Sequence, residues 1–523
     1  MDLTARTGEP YCLAGSRMAF TNWYYVRPSG LGWFNDKGED VTVKGNDEPG
    51  QAHIHSDEPA IGICLIVNPA QRSGQIIMPR HAYEDGGWAV STIIEENGIY
   101  RVWANTGWGD LKNRGMNFFC YYESDDGINW KAPNCGIYEF EGNRDNNILS
   151  ADGGGNVFID ASASPSERYK WIREHQFSRE EYENFLSHRP GKVDARCVRQ
   201  DVGVFFGAQG AVSPEGLRWT IIDEPLVMMH TDTHIVAYYD AQLGKYVGYF
   251  RDWMVGPQAG TYAESNDKES ITRWLRCGRR VIGRAETKDF RHWPISEVIL
   301  EPHLAMSPNE VLYTNCKTTI PKAPDNHLMF PAVWDISTDR THLVLATSHN
   351  GRYWNYTPGR SVLETAPFEQ WDGGCVFAVP NLIELPNGDF ALPYTGYNVP
   401  HKYPRKKATR GFGYAIWPKG RLIGIEAKDK GSFTTAAVIS QGRKLLINAE
   451  VEKDGYIEVE AADLQGRSIV GRDFGNSVRL TGDCFEKPVV WKGYSDLGIQ
   501  KGEPIMLRFR LKNATVYYLD FEQ

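Results

Sequence analysis

Carboxylates recur along this chain at one kind of position. Each lies in a short polar stretch just ahead of a run of β-branched and aromatic residues: Glu84 and Asp85 in AYEDGGW, Asp152 in SADGGGN, Asp232 in HTDTH, Glu310 in PNEVLY and Asp372 in QWDGG. A second set of polar residues falls where the following strand would end: Arg173, Glu174 and His175 in IREH, Arg251 and Trp253 in FRDW, Trp334 in VWD, and Tyr397 with His401 in TGYNVPH. Carboxyl groups brought together can do acid and base work that one alone cannot. Like charges raise each other's proton affinity, so one group stays protonated and donates while another stays ionised and accepts or attacks. Capping of strand amides is an equally good reading for any one of these acids. Five arriving at one place are harder to explain that way.

The elements that must deliver them are repetitive. ESDDGINW ends at Trp130, VSPEGLRW at Trp219, ETKDFRHW at Trp293 and TSHNGRYW at Trp354, and a worn copy, IWPKGRLI, ends at Ile423. Ahead of each octet the pattern runs strand, tight turn, strand, then a third strand such as MNFFCYYE or VGVFFGAQG. The octet is then the turn into a short fourth strand, with its Trp packed between neighbouring units. Five four-stranded units predict a five-bladed β-propeller. Up-and-down strands put the octets on one face with Asp126, Asp160, Asp240 and Asp289, which read as turn-capping residues. The recurring acids then crowd the opposite face around the axis. Inserts after the second strands of the second and third units add walls there, and Ser178 and Glu181 have capping-box spacing ahead of a short helix.

Composition narrows the classes. The 41% hydrophobic and 24% charged fractions are those of a globular protein, and 26 Tyr, 16 Trp and 52 Gly favour strands and turns. A net charge of -9 argues against a nucleic-acid partner. No apolar run reaches the roughly 18 residues of a membrane span. The nine cysteines are scattered and form no C-x-x-C pair, which predicts free thiols in a cytoplasmic setting, or a periplasmic or secreted protein if a leader has been removed. HIHSDE, from His53 to Glu58, has strand spacing for a cation site but reads first as a solvated strand, so no metal ligand is assigned. The oligomeric state is left open between a monomer and a homo-oligomer.

In ETKDFRHW and its copies the chain resembles the five-bladed propeller glycoside hydrolases, the broad group of sucrose- and fructan-cleaving enzymes and arabinanases. The likeness spans roughly residues 80 to 424. It implies a carbohydrate substrate, with Asp85 (or Glu84) as base or nucleophile, Asp152 as its modulator and Asp232 as acid. Asp232 stands where the group usually has Glu, so Glu310 is a second candidate acid. Around them Arg80, Glu84, His175, His234, Arg251, Trp253, Trp334, Asp372, Tyr397 and His401 are expected to bind substrate, the tryptophans by stacking on sugar faces. No cofactor is implied, though a structural calcium or sodium ion on the axis is compatible with the group. GWFNDKG resembles a nucleophile motif of the sucrose-cleaving branch but lacks its Pro, which places Asp36 in a β-rich leading segment.

The expected organisation is therefore all-β: a leading segment, 1–79, packed on the rest; a propeller, 80–424; and a C-terminal β-sandwich of jelly-roll type, 425–523, where alternation continues without another octet. The expected activity is exo-acting glycoside hydrolysis. The alternatives are a glycoside phosphorylase or transferase with Arg80, Arg173 and Arg251 as a phosphate pocket, and a carbohydrate-binding propeller without catalysis.

Overall fold

The computed structural model describes residues 9–28, 35–37, 39, 60–76, 78, 81–84, 87–107, 117–194, 197–199, 203–232, 234–254, 278–403 and 408–523. It is a β protein with a single α-helix among the described residues, Arg179–His188. The capping box foreseen for that helix is formed: Ser178 Oγ accepts from the Glu181 amide at 3.2 Å, and Glu181 Oε2 accepts from the Ser178 amide at 2.7 Å.

Five blades form a β-propeller. Blade 1 orders Trp88–Glu96, Ile99–Gly107, Asn117–Ser124 and Ile148–Ser150 from the axis outward. Blade 2 uses Asn156–Ile159, Tyr169–Phe177, Val204–Ser213 and Thr220–Ile221. Blade 3 uses Val236–Asp240, Lys245–Met254, Arg279–Thr287 and Glu297–Leu300. In blade 4 the strands are broken midway, so Glu310–Thr314 with Ala332–Asp335 and Lys317–Ile320 with Ala323–Met329 pair as two consecutive sheets. Blade 5 orders Cys375–Ala378, Phe390–Tyr397 and Arg410–Trp417. One axial cavity is lined by Ile94, Val157, Ala237, Thr318 and Asn381, a residue from each blade.

The outermost strand of blade 5 departs from the expected grammar. The worn octet is not followed by a fourth strand of its own; Gln71–Ile76, from ahead of blade 1, takes that place, with Phe412 opposite Ile76 and Ile416 opposite Gln71. A strand from ahead of blade 1 thus completes blade 5. Ile423–Thr434 instead runs into the C-terminal sheet.

The octets are inter-blade latches. Ser124, Ser213 and Ser348 Oγ each accept from the amide three residues on, at 2.9 Å, and those residues, Gly127, Gly216 and Gly351, have φ of 74°, 82° and 67°. A left-handed turn of this kind favours glycine. Each glycine carbonyl accepts a hydrogen bond from an aromatic of the preceding blade: Tyr414 Oη to Gly127 (2.7 Å), Trp103 Nε1 to Gly216 (2.7 Å) and Tyr249 Oη to Gly351 (2.8 Å). In the third copy Phe290 stands in the glycine's place and packs edge-on against Phe158 of blade 2. Trp130 and Trp354 pack edge-on against Phe412 and Tyr249 of the preceding blades.

An eight-stranded sheet is built around Lys444–Ala462 and Pro504–Glu522; five of its strands are C-terminal and three, Tyr11–Cys12, Arg17–Ala19 and Cys64–Val67, come from the leading segment. Bulges bend the two long strands about an apolar core that includes Phe433, Val459 and Phe509. Arg17 bonds Asp520 (2.7 Å) and Glu384 of blade 5 (3.3 Å) while lying over the Tyr518 ring, which ties this sheet to the propeller. The eight described cysteines are free thiols. Among the described residues no helix is long and apolar enough to cross a membrane.

Candidate functional site

At the end of the axis opposite the octets, first-strand starts and second-strand ends enclose two adjoining hollows. The larger, about 1180 Å³, lies over blades 1 to 3 and is lined by Asp152, Arg173, Glu174, His175, Asp232 and His234, among others. The smaller, about 360 Å³, lies over blades 4 and 5 and is lined by Tyr313, Tyr397, His401, Lys402 and Arg410. Asp232 and His234 line both.

Asp232 is the centre of this arrangement. It and His234 have φ of 57°, a left-handed conformation that costs a non-glycine residue about 1–2 kcal/mol and persists only where the surroundings impose it. Glu174, from the second strand of blade 2, imposes it here. Its Oε2 accepts from His230 Nδ1 (2.9 Å), from the Thr231 amide (2.6 Å) and from the Asp232 amide. The far side is held by Asn315 Nδ2, which donates to the His234 carbonyl at 2.7 Å. His230 is itself stacked between Phe206 and Trp253, with centroids 4.2 and 5.1 Å away.

Arg251, 2% exposed, pairs with the Asp232 carboxylate, donates from Nε to the Tyr313 carbonyl at 2.9 Å and lies 3.9 Å from the Tyr313 ring centre. Arg280 and Lys402 lie 5.1 and 5.5 Å from the Trp334 ring centre on the same side. Burial works against the charge on Asp232, but Arg251 and then His230, Arg280 and Lys402 outweigh it and hold the carboxyl below its ordinary range. The same arginine and burial push His234 down to about 4, so that imidazole is neutral near pH 7.

Asp152, which lines the larger hollow with Asp232, is exposed, and its carbonyl accepts from Arg173, whose Nε and Nη2 donate to Gln209 Oε1 at 3.1 and 2.8 Å. Gly153, Gly154 and Gly155 follow it, and a Cβ on any of them would meet another atom at 2.6 Å or less, so the backbone lies against the floor of the hollow. Burial lowers the pKa of His175.

Several expected site residues lie elsewhere. Glu84 is fully buried, accepts from the Tyr122 hydroxyl and the His81 amide, and lines neither hollow; burial raises its pKa. Glu310 caps the turn before its strand, accepting from the Ser307 amide at 2.6 Å, and lines neither hollow. Asp372 is turned back onto blade 5, between Arg72 Nε (3.2 Å) and Tyr394 Oη (2.8 Å). Trp253 and Trp334 are 2% and 7% exposed, with rings covered by His230 and by Arg280 and Lys402, so neither presents a sugar platform. Asp36 is exposed and lines neither hollow. Asp85, Arg80 and the HIHSDE stretch lie outside the described residues.

Glu174 is in view from the sequence but without a role, Arg280 is missed, and Lys402 and Arg410 belong to HKYPRKKATR, a basic stretch that reads from the sequence as a solvated loop. Strand grammar held a signal for Arg280, since third strands begin where second strands end, at the same rim. No described group of three or more His, Cys, Asp or Glu has metal-binding geometry.

No family model and no curated protein sequence matches the chain. Among solved structures it is similar to an N-acetylgalactosamine deacetylase from F. plautii in complex with blood group B trisaccharide (12% identity over 68% of this chain and 95% of that one, TM-score 0.40). It is similar also to a β-fructofuranosidase of Bombyx mori (10%, 84% and 94%, TM-score 0.35) and to sucrose-6-phosphate hydrolase from Lactobacillus gasseri (9%, 84% and 93%, TM-score 0.36).

Proposed function

We propose that the protein is a glycoside hydrolase, exo-acting on glycans that carry an acidic substituent. The observation that carries the reading is that Asp152 and Asp232, encoded in different blades, line one hollow of about 1180 Å³. Glycosidic cleavage needs one carboxyl to protonate the leaving oxygen and one carboxylate on the other side of the sugar ring. Asp232, held ionised by Arg251, takes the carboxylate role, not the acid role that the resemblance implied. Asp152, which lines the same hollow, takes the acid role. Glu174 is a positioning residue. It fixes the strained backbone on which Asp232 sits and touches no substrate in this scheme.

Lys402 and Arg410 line the smaller lobe with Tyr397 and His401. Cations of this kind recognise a carboxylate or sulfate on the terminal sugar. They equally suit inorganic phosphate, which keeps a glycoside phosphorylase as the second reading. A panel of neutral and acidic oligosaccharides, read by released product with and without phosphate, tests both. Turnover of acidic glycans without phosphate supports hydrolysis, and turnover that requires phosphate replaces it with phosphorolysis. Binding without turnover across the panel rejects catalysis.

A further inference from the structure

The larger hollow is not confined to the axis. Asp232 and His234 mark its inner end, and Tyr138, Trp219 and Ile221, from the outer parts of blades 1 and 2, also line it. The chain between these two blades accounts for the shape. Ile148–Ser150 is the outermost strand of blade 1 and Asn156–Ile159 the innermost of blade 2, so the segment that carries Asp152 crosses from the outside of one blade to the axial strand of the next. A Cβ at Gly154 would come within 2.5 Å of the Phe119 ring, and one at Gly155 within 2.2 Å of the Ile172 carbonyl oxygen, so glycines let the crossing lie flat on both blades. With strands about 4.8 Å apart, a blade four strands deep measures about 14 Å from first to fourth, longer than one sugar ring. The hollow is a groove between blades, with Asp152 partway along it.

Charge separates this groove from the smaller lobe. The outer stretch, formed by Ile137, Tyr138, Gln209, Arg218, Trp219 and Ile221, carries no carboxylate, and its one cation, Arg218, lies 4.0 Å from Glu215 of its own turn. Trp219 Nε1 has no hydrogen-bond partner among the described residues, and Ile221 is 42% exposed on the outermost strand of blade 2. Aromatic and aliphatic faces beside an amide side chain suit uncharged sugars, which offer C–H faces to stack and hydroxyls to bond. The smaller lobe holds about 360 Å³ against about 1180 Å³ and is lined by Lys402 and Arg410.

The two carboxylates set the direction in which a substrate lies. Asp232 lines both hollows, so the bond to be cut falls where they adjoin. An acid has to reach the leaving oxygen, and Asp152 lines the larger hollow only. The leaving part of the substrate is therefore on the groove side and the terminal sugar on the side of the smaller lobe.

We propose that the groove between blades 1 and 2 is an extended leaving-group site for an uncharged glycan chain of two or more residues, so that the enzyme removes an acidic sugar from the end of a neutral chain. The direction of binding rests on the glycosidase reading, and the affinity of the groove for neutral chains does not.

Calorimetric titration of the full chain with neutral disaccharides and hexasaccharides of glucose, xylose, mannose and galactose tests the groove. At least one hexasaccharide should bind about tenfold or more tightly than its disaccharide, and Ile221→Asp and Tyr138→Ala should each remove most of that gain. Ile221 is exposed, so its variant decides even if Tyr138→Ala, which loses an edge-on contact with Phe118, does not fold. No gain with length in any series, or the same gain in Ile221→Asp as in wild type, overturns the proposal. The products from hexasaccharides ending in a uronic acid test the direction. Release of the acidic monosaccharide with a neutral pentasaccharide supports it, and release of neutral sugar from the other end overturns it. Length-dependent binding without any turnover rejects the glycosidase reading and the leaving-group role with it, while the groove stands as a glycan site.

Discussion

The two ends of the propeller axis treat buried charge in opposite ways. At the rim, Arg251 is 2% exposed and meets a carboxylate, a carbonyl and an aromatic face, and Asp232 is pinned between that arginine and amides ordered by Glu174. At the octet end, Lys317 is 4% exposed, lies over the Tyr238 ring and has no carboxylate within ion-pair distance among the described residues. Pairing fixes protonation: the rim carboxylate stays ionised, whereas the solitary amine sits near neutrality. A closed charge network sets a group up for one chemical role, and an open one leaves it responsive to what arrives from solution.

Removing the rim cation should have the largest effect. Arg251→Met strands Asp232 in the site, and urea unfolding should show a loss of about 3–5 kcal/mol, most of it recovered when Asp232→Asn is added. If the single variant is as stable as wild type, the rim is not the closed network described.

The opposite operation at the other end should stabilise. Lys317→Met removes a buried charge that has no ion-pair partner among the described residues, so it should gain on the order of 1–3 kcal/mol at pH 7. The pH dependence sharpens this. Lys317 has a folded pKa of about 7 against an unfolded value of about 10.4, so between these the unfolded chain holds the extra proton. Its contribution to stability therefore rises with pH from about 7 towards 10 and is flat below, and this rise should vanish from the wild-type profile in Lys317→Met.

A smaller effect is expected where geometry alone is disturbed. Glu174→Ala should lower kcat about tenfold, some 1.4 kcal/mol, with KM little changed. Glu174→Gln, whose amide oxygen still accepts from the Thr231 and Asp232 amides, should restore part of the loss. An equal fall in both variants would assign Glu174 to the chemistry and not to positioning. The smallest effect belongs to the latches. Gly351→Ala meets both a φ of 67° and the Tyr249 hydroxyl 2.6 Å from the new Cβ, and should cost about 1–2 kcal/mol in thermal unfolding; Gly98→Ala, with φ of 78° and open space, should cost less.

The blades were legible in the sequence because a turn with a serine cap and a left-handed glycine leaves a local signature, repeated as ESDDGINW, VSPEGLRW and TSHNGRYW. Ring closure was not. Gln71–Ile76 is polar and mostly exposed, so an edge strand of this kind carries no alternation, and its partner lies more than three hundred residues away. The site was legible to the extent that strand starts and ends could be counted. Asp152 and Asp232 were found that way, and so were Glu310, which caps its own turn, and Asp372, whose side chain turns back onto blade 5. Nothing local separates these pairs, since the difference lies in which neighbour each carboxylate meets.

The most direct test of the rim account is the rate of glycan hydrolysis by Asp152→Asn, Asp232→Asn and Glu310→Gln, each checked for wild-type Tm. Loss of roughly a hundredfold or more in the first two, with the third close to wild type, is the predicted result. Near wild-type turnover by Asp232→Asn and Asp152→Asn, or an equal loss in Glu310→Gln, would contradict it.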